Sequence, residues 1–167
     1  PLIHVGLGSS ARREVVLPLL TALGDLDVDV VSTAGRYLTP RDRRGLPPSV
    51  LVFDFLPAHK LGGLIDASLI HGGEGTVQTA CASGVPFAGI GMQMEQKLNI
   101  EECVDFGNAL AFTIRDIRRH RIPSLVERLL TDATLRRRAR ELAALTQGID
   151  GAQRSAEVIL RFLDDRR

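Results

Sequence analysis

Ala67-Ser68-Leu69-Ile70-His71-Gly72-Gly73-Glu74-Gly75-Thr76 is the stretch on which the fold of this chain turns. Its first four residues form a short continuous run of the kind found in strands covered on both faces. Three glycines follow, and they let the backbone turn with positive φ and let a ligand come close to the main chain. Thr76 then opens a segment of helical spacing that reaches Ser83. A strand that ends in a glycine turn at a helix start presents unpaired N–H groups to an anion, and the helix dipole reinforces them. The amides of Gly75 and Thr76 are therefore expected to seat a pyrophosphate, with His71 at the strand end as a further donor. Glu74 would repel that guest unless it pointed to solvent, so an outward orientation is expected.

The same alternation extends in both directions. Apolar runs at Leu2–Leu7, Val28–Val31, Val50–Phe53, Pro86–Ile90 and Ala109–Phe112 join Ala67–Ile70 as candidate strands, and helical spacing recurs at Arg12–Leu23 and Gln96–Phe106. Strands alternating with helices predict an α/β fold: a Rossmann-like, parallel six-stranded sheet flanked by helices and joined by right-handed crossovers. Gly35–Ser49, rich in Arg, Gly and Pro, breaks this rhythm and is expected to hold little regular structure and to be mobile. From Asp116 the pattern is helical. Ile122, Leu125, Val126, Leu129 and Leu130 form one apolar stripe; Leu135, Ala139, Leu142 and Leu145 form another; a last helix is expected near Ala152–Leu163. Arg136, Arg137, Arg138 and Arg140 then fall on a solvated helix face beside Glu141.

Composition narrows the function. The 167 residues, 44% of them hydrophobic, suit one core and no internal domain boundary. A net charge of +1 and 4% aromatic residues supply neither the field nor the stacking platform of a nucleic-acid binder. No run approaches the roughly 20 apolar residues that span a bilayer, and no signal pattern opens the chain, so a cytoplasmic location is expected. Cys81 and Cys103 lack metal-ligand spacing and read as reduced core thiols, with no metal and no cofactor expected.

A second glycine turn, Gly6-Leu7-Gly8-Ser9-Ser10-Ala11, follows the first strand and matches GxGxxA in form. A dinucleotide site also needs an acidic residue ending the second strand, and here that strand runs into Ser32-Thr33-Ala34-Gly35. A nicotinamide enzyme is therefore not the expectation. Ser9 and Ser10 are expected to cap the following helix and to face a phosphate.

Taken together, Asp54-Phe55-Leu56-Pro57, the His71–Thr76 turn, Ala82-Ser83-Gly84-Val85-Pro86, Glu95-Gln96, Asn99 and Phe106-Gly107 stand in an order and spacing that resemble the carboxy-terminal domain of family 1 glycosyltransferases. These are GT-B enzymes, among them bacterial antibiotic, macrolide and UDP-sugar transferases. The resemblance covers most of the chain. It implies that residues 1–167 are a nucleotide-sugar-binding domain, one half of a GT-B fold, with an amino-terminal acceptor domain outside this chain; the start at Pro1, directly before a strand, fits a fragment. By the same resemblance Phe55 stacks on the base and Leu56 offers backbone groups to its edge. His71, Gly73, Gly75 and Thr76, with Ser9 and Ser10 opposite, bind the diphosphate. Glu95 and Gln96 hold the sugar hydroxyls, as a carboxylate and an amide can.

The implied reaction is inverting, metal-independent transfer of a hexose or deoxyhexose to a hydroxyl of a small-molecule acceptor, with a general base in the other domain. Three positions depart from the family pattern. Gly91 replaces a proline before the sugar loop, which is expected to loosen it; Glu74 fills a variable place; and Thr79 stands where many UDP-sugar enzymes carry a ribose-binding Glu. The last favours a TDP-sugar over a UDP-sugar. Two alternatives stay open: half of a GT-B sugar-nucleotide 2-epimerase, whose further carboxylates are not found here, and a non-catalytic nucleotide-sugar-binding module, against which intact His71, Thr76, Glu95 and Gln96 argue.

Overall fold

A computed structural model describes residues 1–166. Six short strands, β1 (Leu2–Gly6), β2 (Asp29–Ser32), β3 (Val50–Val52), β4 (Ala67–Ile70), β5 (Phe87–Gly89) and β6 (Ala109–Ala111), form one sheet in the order β3-β2-β1-β4-β5-β6. All neighbours pair in parallel. The chain runs outward from β1 to β3 and then restarts at β4 on the other side of β1. Beyond the carboxyl ends of β1 and β4 the connections therefore diverge, and it is at such a switch point that open α/β sheets bind ligands. Each expected strand is present, with ends differing by one residue or so.

Alternation along β1 divides the core. Ile3 and Val5 are fully buried against α1 (Arg13–Gly24), whose Val16, Leu19, Leu20 and Leu23 are also fully buried. His4 and Gly6 face the other side, where α3 (Glu74–Ala82) and α4 (Met94–Phe106) pack on Ile70, Phe87 and Ala109. Here Cys81 of α3 and Cys103 of α4 bring their sulfurs to 3.9 Å, both as free thiols. Hydrogen bonding to Cys81 and burial push the Cys103 thiol up.

The stretch Gly35–Ser49 corrects the expectation of an irregular connection. It holds a single 3-10 turn, Gly35–Tyr37, and a six-residue helix, α2 (Pro40–Gly45). Thr39 and Asp42 cap α2 reciprocally: the Thr39 hydroxyl accepts from the Asp42 amide at 3.1 Å, and the Asp42 carboxylate accepts from the Thr39 amide at 2.9 Å. The same carboxylate receives Arg13 of α1 at 2.6 and 2.8 Å. Arg13 and Thr39 together hold Asp42 well below the usual carboxylate range. Tyr37 donates to the Gly8 carbonyl at 2.7 Å, so this connection also braces the first glycine turn.

After β6 come α5 (Ile114–Arg118), α6 (Ile122–Thr131), α7 (Ala133–Thr146) and α8 (Gly151–Asp164). Ile122, Val126 and Leu129 of α6 and Leu135 and Ala139 of α7 are buried, but the second stripe ends sooner than expected: Leu142 is half-buried and Leu145 is exposed, because the end of α7 runs beyond the elements it packs on. Arg137 and Arg138 pair with Glu141 on the solvated face of α7, and the Arg138 guanidinium also lies 4.9 Å from the Phe106 ring centre. The last helix buries nothing: Val158, Ile159, Phe162 and Leu163 are all more than half exposed. Among the described residues no helix is long and apolar enough to cross a membrane.

Removing one hydroxyl tests the braced connection. Thr39→Ala deletes one arm of the cap and is expected to lower the unfolding free energy by about 1 kcal/mol in urea titration; an unchanged midpoint would show that α2 is held by Arg13 alone.

Candidate functional site

At the switch point the two glycine turns face each other across a cleft of about 320 Å³. Gly8 and Ser9 line one side and Thr76 the other, while Phe55 and Leu56 stand at its mouth. Phe55 is 81% exposed, an unusual state for an aromatic ring at a strand end and one that leaves a face free for stacking. Asp54, in the same wall, is neutralised by Arg43 at 2.6 Å. The acids Asp25, Asp27 and Asp29 precede or begin β2 and so lie at the opposite, amino-terminal end of the parallel strands.

His71 is buried between the turns. Its ring lies directly under Gly8, whose φ is +57°, and any Cβ there would collide with the imidazole. A Cβ at Gly73 would meet His71 Nε2 at 2.5 Å. The two glycines are thus the space that the ring fills. His71 Nδ1 lies 3.3 Å from the Gly6 carbonyl oxygen, which can only accept, so Nδ1 carries the proton. Nε2 is left as the ring's second hydrogen-bonding atom. It accepts when the ring is neutral and donates when the ring is an imidazolium.

The helix start lies two residues earlier than the spacing suggests. Gly73 is the cap of α3, and its carbonyl accepts from both Thr76 and Val77 at 2.9 Å. The Thr76 amide is therefore already used. The first-turn amides of Glu74 and Gly75 have no intrahelical acceptor and are the ones available to an anion. Glu74 points outward and accepts from Gln78, as electrostatics demands. Thr79 donates its hydroxyl to the Gly75 carbonyl at 2.8 Å and lines a second, smaller cavity behind Thr76.

A groove of about 760 Å³ shares Ser9 with the cleft and is lined by Ser10, Gly91, Met92 and Gln93, with Glu95 and Gln96 outside its lining. Here Ser9 and Ser10 do not cap α1. The cap is Arg12, with no side-chain bond. Ser10 instead accepts from Gln96 Nε2 at 3.0 Å, and Gln96 Oε1 accepts from the Met92 amide at 3.0 Å. Gln96 is buried with both ends of its amide engaged, so in this arrangement it ties the β5–α4 loop to the first glycine turn. Glu95 is exposed, and Asn99 donates to the Gly72 carbonyl at 3.0 Å. Gly91 sits so close to α4 that a Cβ would meet the Lys97 amide nitrogen at 2.8 Å. The loop expected to be loose is packed, and glycine is what permits the packing.

Three polar residues of the cleft, His4, Thr33 and Arg36, escaped the sequence reading, and of these His4 is the buried one. His4, on β1, lines both the cleft and the smaller cavity of about 100 Å³. It is 5% exposed, and its Nε2 has no hydrogen-bond partner. Burial pushes its pKa down to about 4. Within an apolar strand nothing in the local pattern sets this histidine apart; only its spacing of two from Gly6, on the same strand face, hints at room above the ring.

The family model described as Erythromycin biosynthesis protein CIII-like, C-terminal domain, matches residues 17–159. A PGL/p-HBAD biosynthesis glycosyltransferase of Mycobacterium tuberculosis is 33% identical over 144 residues, covering 86% of this chain and 33% of that protein. The 4'-demethylrebeccamycin synthase of Lentzea aerocolonigenes is 35% identical over 127 residues, 71% of this chain and 29% of the relative. Among solved structures, the calicheamicin glycosyltransferase CalG4 aligns with a TM-score of 0.87 at 27% identity, over 99% of this chain and 44% of its own. The chain spans about a third of the length of the relatives it matches. The fold is one half of a GT-B architecture.

The burial of His4 has a consequence for stability. Its pKa falls from 6.5 to about 4 on folding, so below pH 6.5 the unfolded chain binds a proton that the folded chain refuses. The stability is whole above pH 6.5 and is lost as pH falls towards 4, by about 3 kcal/mol in all. Urea titrations of the wild type and His4→Phe over that range are expected to diverge, the wild type losing more. Parallel curves would show that the imidazole is not held neutral.

Proposed function

Since the chain belongs to the family of erythromycin biosynthesis protein CIII-like C-terminal domains, we propose that it is the donor-binding domain of a glycosyltransferase, holding a nucleoside diphosphate sugar while an acceptor hydroxyl displaces the diphosphate. One observation carries this reading: the Gly8-Ser9 turn and Thr76 line one cleft at the sheet's switch point, with His71 packed under Gly8 and the free first-turn amides of Glu74 and Gly75 immediately before Thr76. A diphosphate is the anion that spans two such turns. Phe55 at the cleft mouth is placed to stack on the base.

In this reading catalysis by the chain's own groups is electrostatic. Negative charge grows on the leaving diphosphate as the anomeric bond breaks. The first turn of α3 and the His71 ring are already oriented to meet it, with no reorganisation at the moment of reaction. Attack from the face opposite the leaving group inverts the anomeric carbon. The sugar extends past Ser9 into the larger groove, towards Glu95 at the start of α4. Gln96 acts there by holding Ser10 and Met92 in place.

The general base and the acceptor pocket are assigned to a separate amino-terminal domain, consistent with relatives about three times as long as this chain. Helix α8, with one apolar face unburied by the sheet, offers that domain a surface to pack on.

Calorimetric titration with UDP and TDP tests the reading. Binding in the micromolar to millimolar range is expected, without turnover. His71→Ala should weaken binding about tenfold or more. No heat with either nucleotide at millimolar protein would refute the donor site.

A further inference from the structure

The imidazole of His4 lies where the nucleotide reading needs a polar group and has not yet named one. It occupies the same face of β1 as Gly6, and the missing Cβ at Gly6 lets the ring lie forward along the strand. A Cβ there would stand 2.8 Å from His4 Cε1 and 3.2 Å from Nε2. The Nε2 edge is therefore turned towards the carboxyl end of the sheet, where the cleft opens. That atom is buried and unpaired, a state that favours any ligand able to give it a partner.

The chemistry of the surroundings limits what the partner can be. The small cavity that His4 shares with Thr76 and Thr79 contains no carboxylate. The Thr79 hydroxyl has given its proton to Gly75. Burial keeps the His4 ring neutral at physiological pH. A neutral imidazole adds no charge to a diphosphate; positive charge in this cleft comes from the Arg36 side chain and the first turn of α3. The His4 ring suits a neutral hydroxyl, which can donate to an unprotonated Nε2 or accept from a protonated one, so either tautomer is satisfied.

We propose that His4 is the ribose-recognising residue of this site, its Nε2 pairing with a ribose hydroxyl of the bound nucleoside diphosphate. This rests on the donor-site reading above and adds the group that meets the nucleoside's sugar. It also alters the expectation drawn from Thr79: the absence of a carboxylate there does not leave the ribose without a partner, and a ribonucleotide is recognised as well as a deoxyribonucleotide or better.

The test uses UDP and 2'-deoxy-UDP, which share a base and a diphosphate, on the wild type, His4→Phe and His4→Gln. His4→Phe should weaken UDP binding about three- to tenfold. His4→Gln, which keeps a polar atom near the position of Nε2, should recover most of it. If the 2'-hydroxyl is the partner, the wild type should prefer UDP and His4→Phe should not. If it is the 3'-hydroxyl, both nucleotides should weaken equally. Either pattern supports ribose recognition.

A second readout needs no variant. The His4 Nε2 resonance should move on addition of UDP and stay still with inorganic pyrophosphate. Wild-type affinity for both nucleotides in His4→Phe, or an unmoved resonance with UDP bound, would overturn the assignment while leaving the donor site standing. A wild type that binds no nucleoside diphosphate would overturn both.

Discussion

The contact between the His71 ring and the bare backbone of Gly8 fixes the geometry of the whole cleft. A side chain at position 8 would have to occupy the imidazole's volume, and the residue there must also adopt a φ of +57°. Glycine meets both demands. Because the ring is held from below by the Gly6 carbonyl and flanked by Gly73, the carboxyl ends of β1 and β4 are locked in register at the point where the chain reverses its order in the sheet. The free amides of α3 are brought opposite the first turn by this packing. Tyr37, bonded to the Gly8 carbonyl, extends the brace into the connection after β2.

Two histidines sit on either side of Gly6 and divide the electrostatic work. His71 keeps one nitrogen tied to a carbonyl and has the other free to meet a ligand. His4 lies deeper, and desolvation holds it neutral. The difference follows from burial and partners and not from residue type. A hydrogen-bonding nitrogen beside the glycine turns is placed where the diphosphate would lie, and an uncharged ring where hydroxyls would. The Gln96 amide, which joins Ser10 to Met92, belongs to the same economy: it spends its hydrogen bonds on keeping the two loops together.

Much of this was legible in the sequence because the signals were local. The six strands are short apolar runs between turn residues, and the His71–Thr76 turn announces a strand meeting a helix. Other features depend on partners far along the chain. Gln96 turns inward because Ser10, 86 residues away, accepts its proton. His4 is indistinguishable from an ordinary strand residue until Gly6 and α3 close over it. The helix at Pro40–Gly45 was readable in principle, since Thr39-Pro40-Arg41-Asp42 carries both a reciprocal cap and a proline at the first helical position. The arginines around it obscured that signal. The start of α3 at Glu74 was hidden by the glycine at 75, a poor helix former that the following turns nevertheless carry.

An amide-resolved NMR titration of the chain with UDP, compared with uridine, bears most directly on the claim that a diphosphate seats on the first turn of α3. The Glu74 and Gly75 amides should shift strongly with UDP and little with uridine, with Thr76 less affected because its N–H is already bonded to Gly73. UDP binding that leaves the Glu74 and Gly75 amides unmoved, with its largest shifts elsewhere on the sheet, would contradict the account.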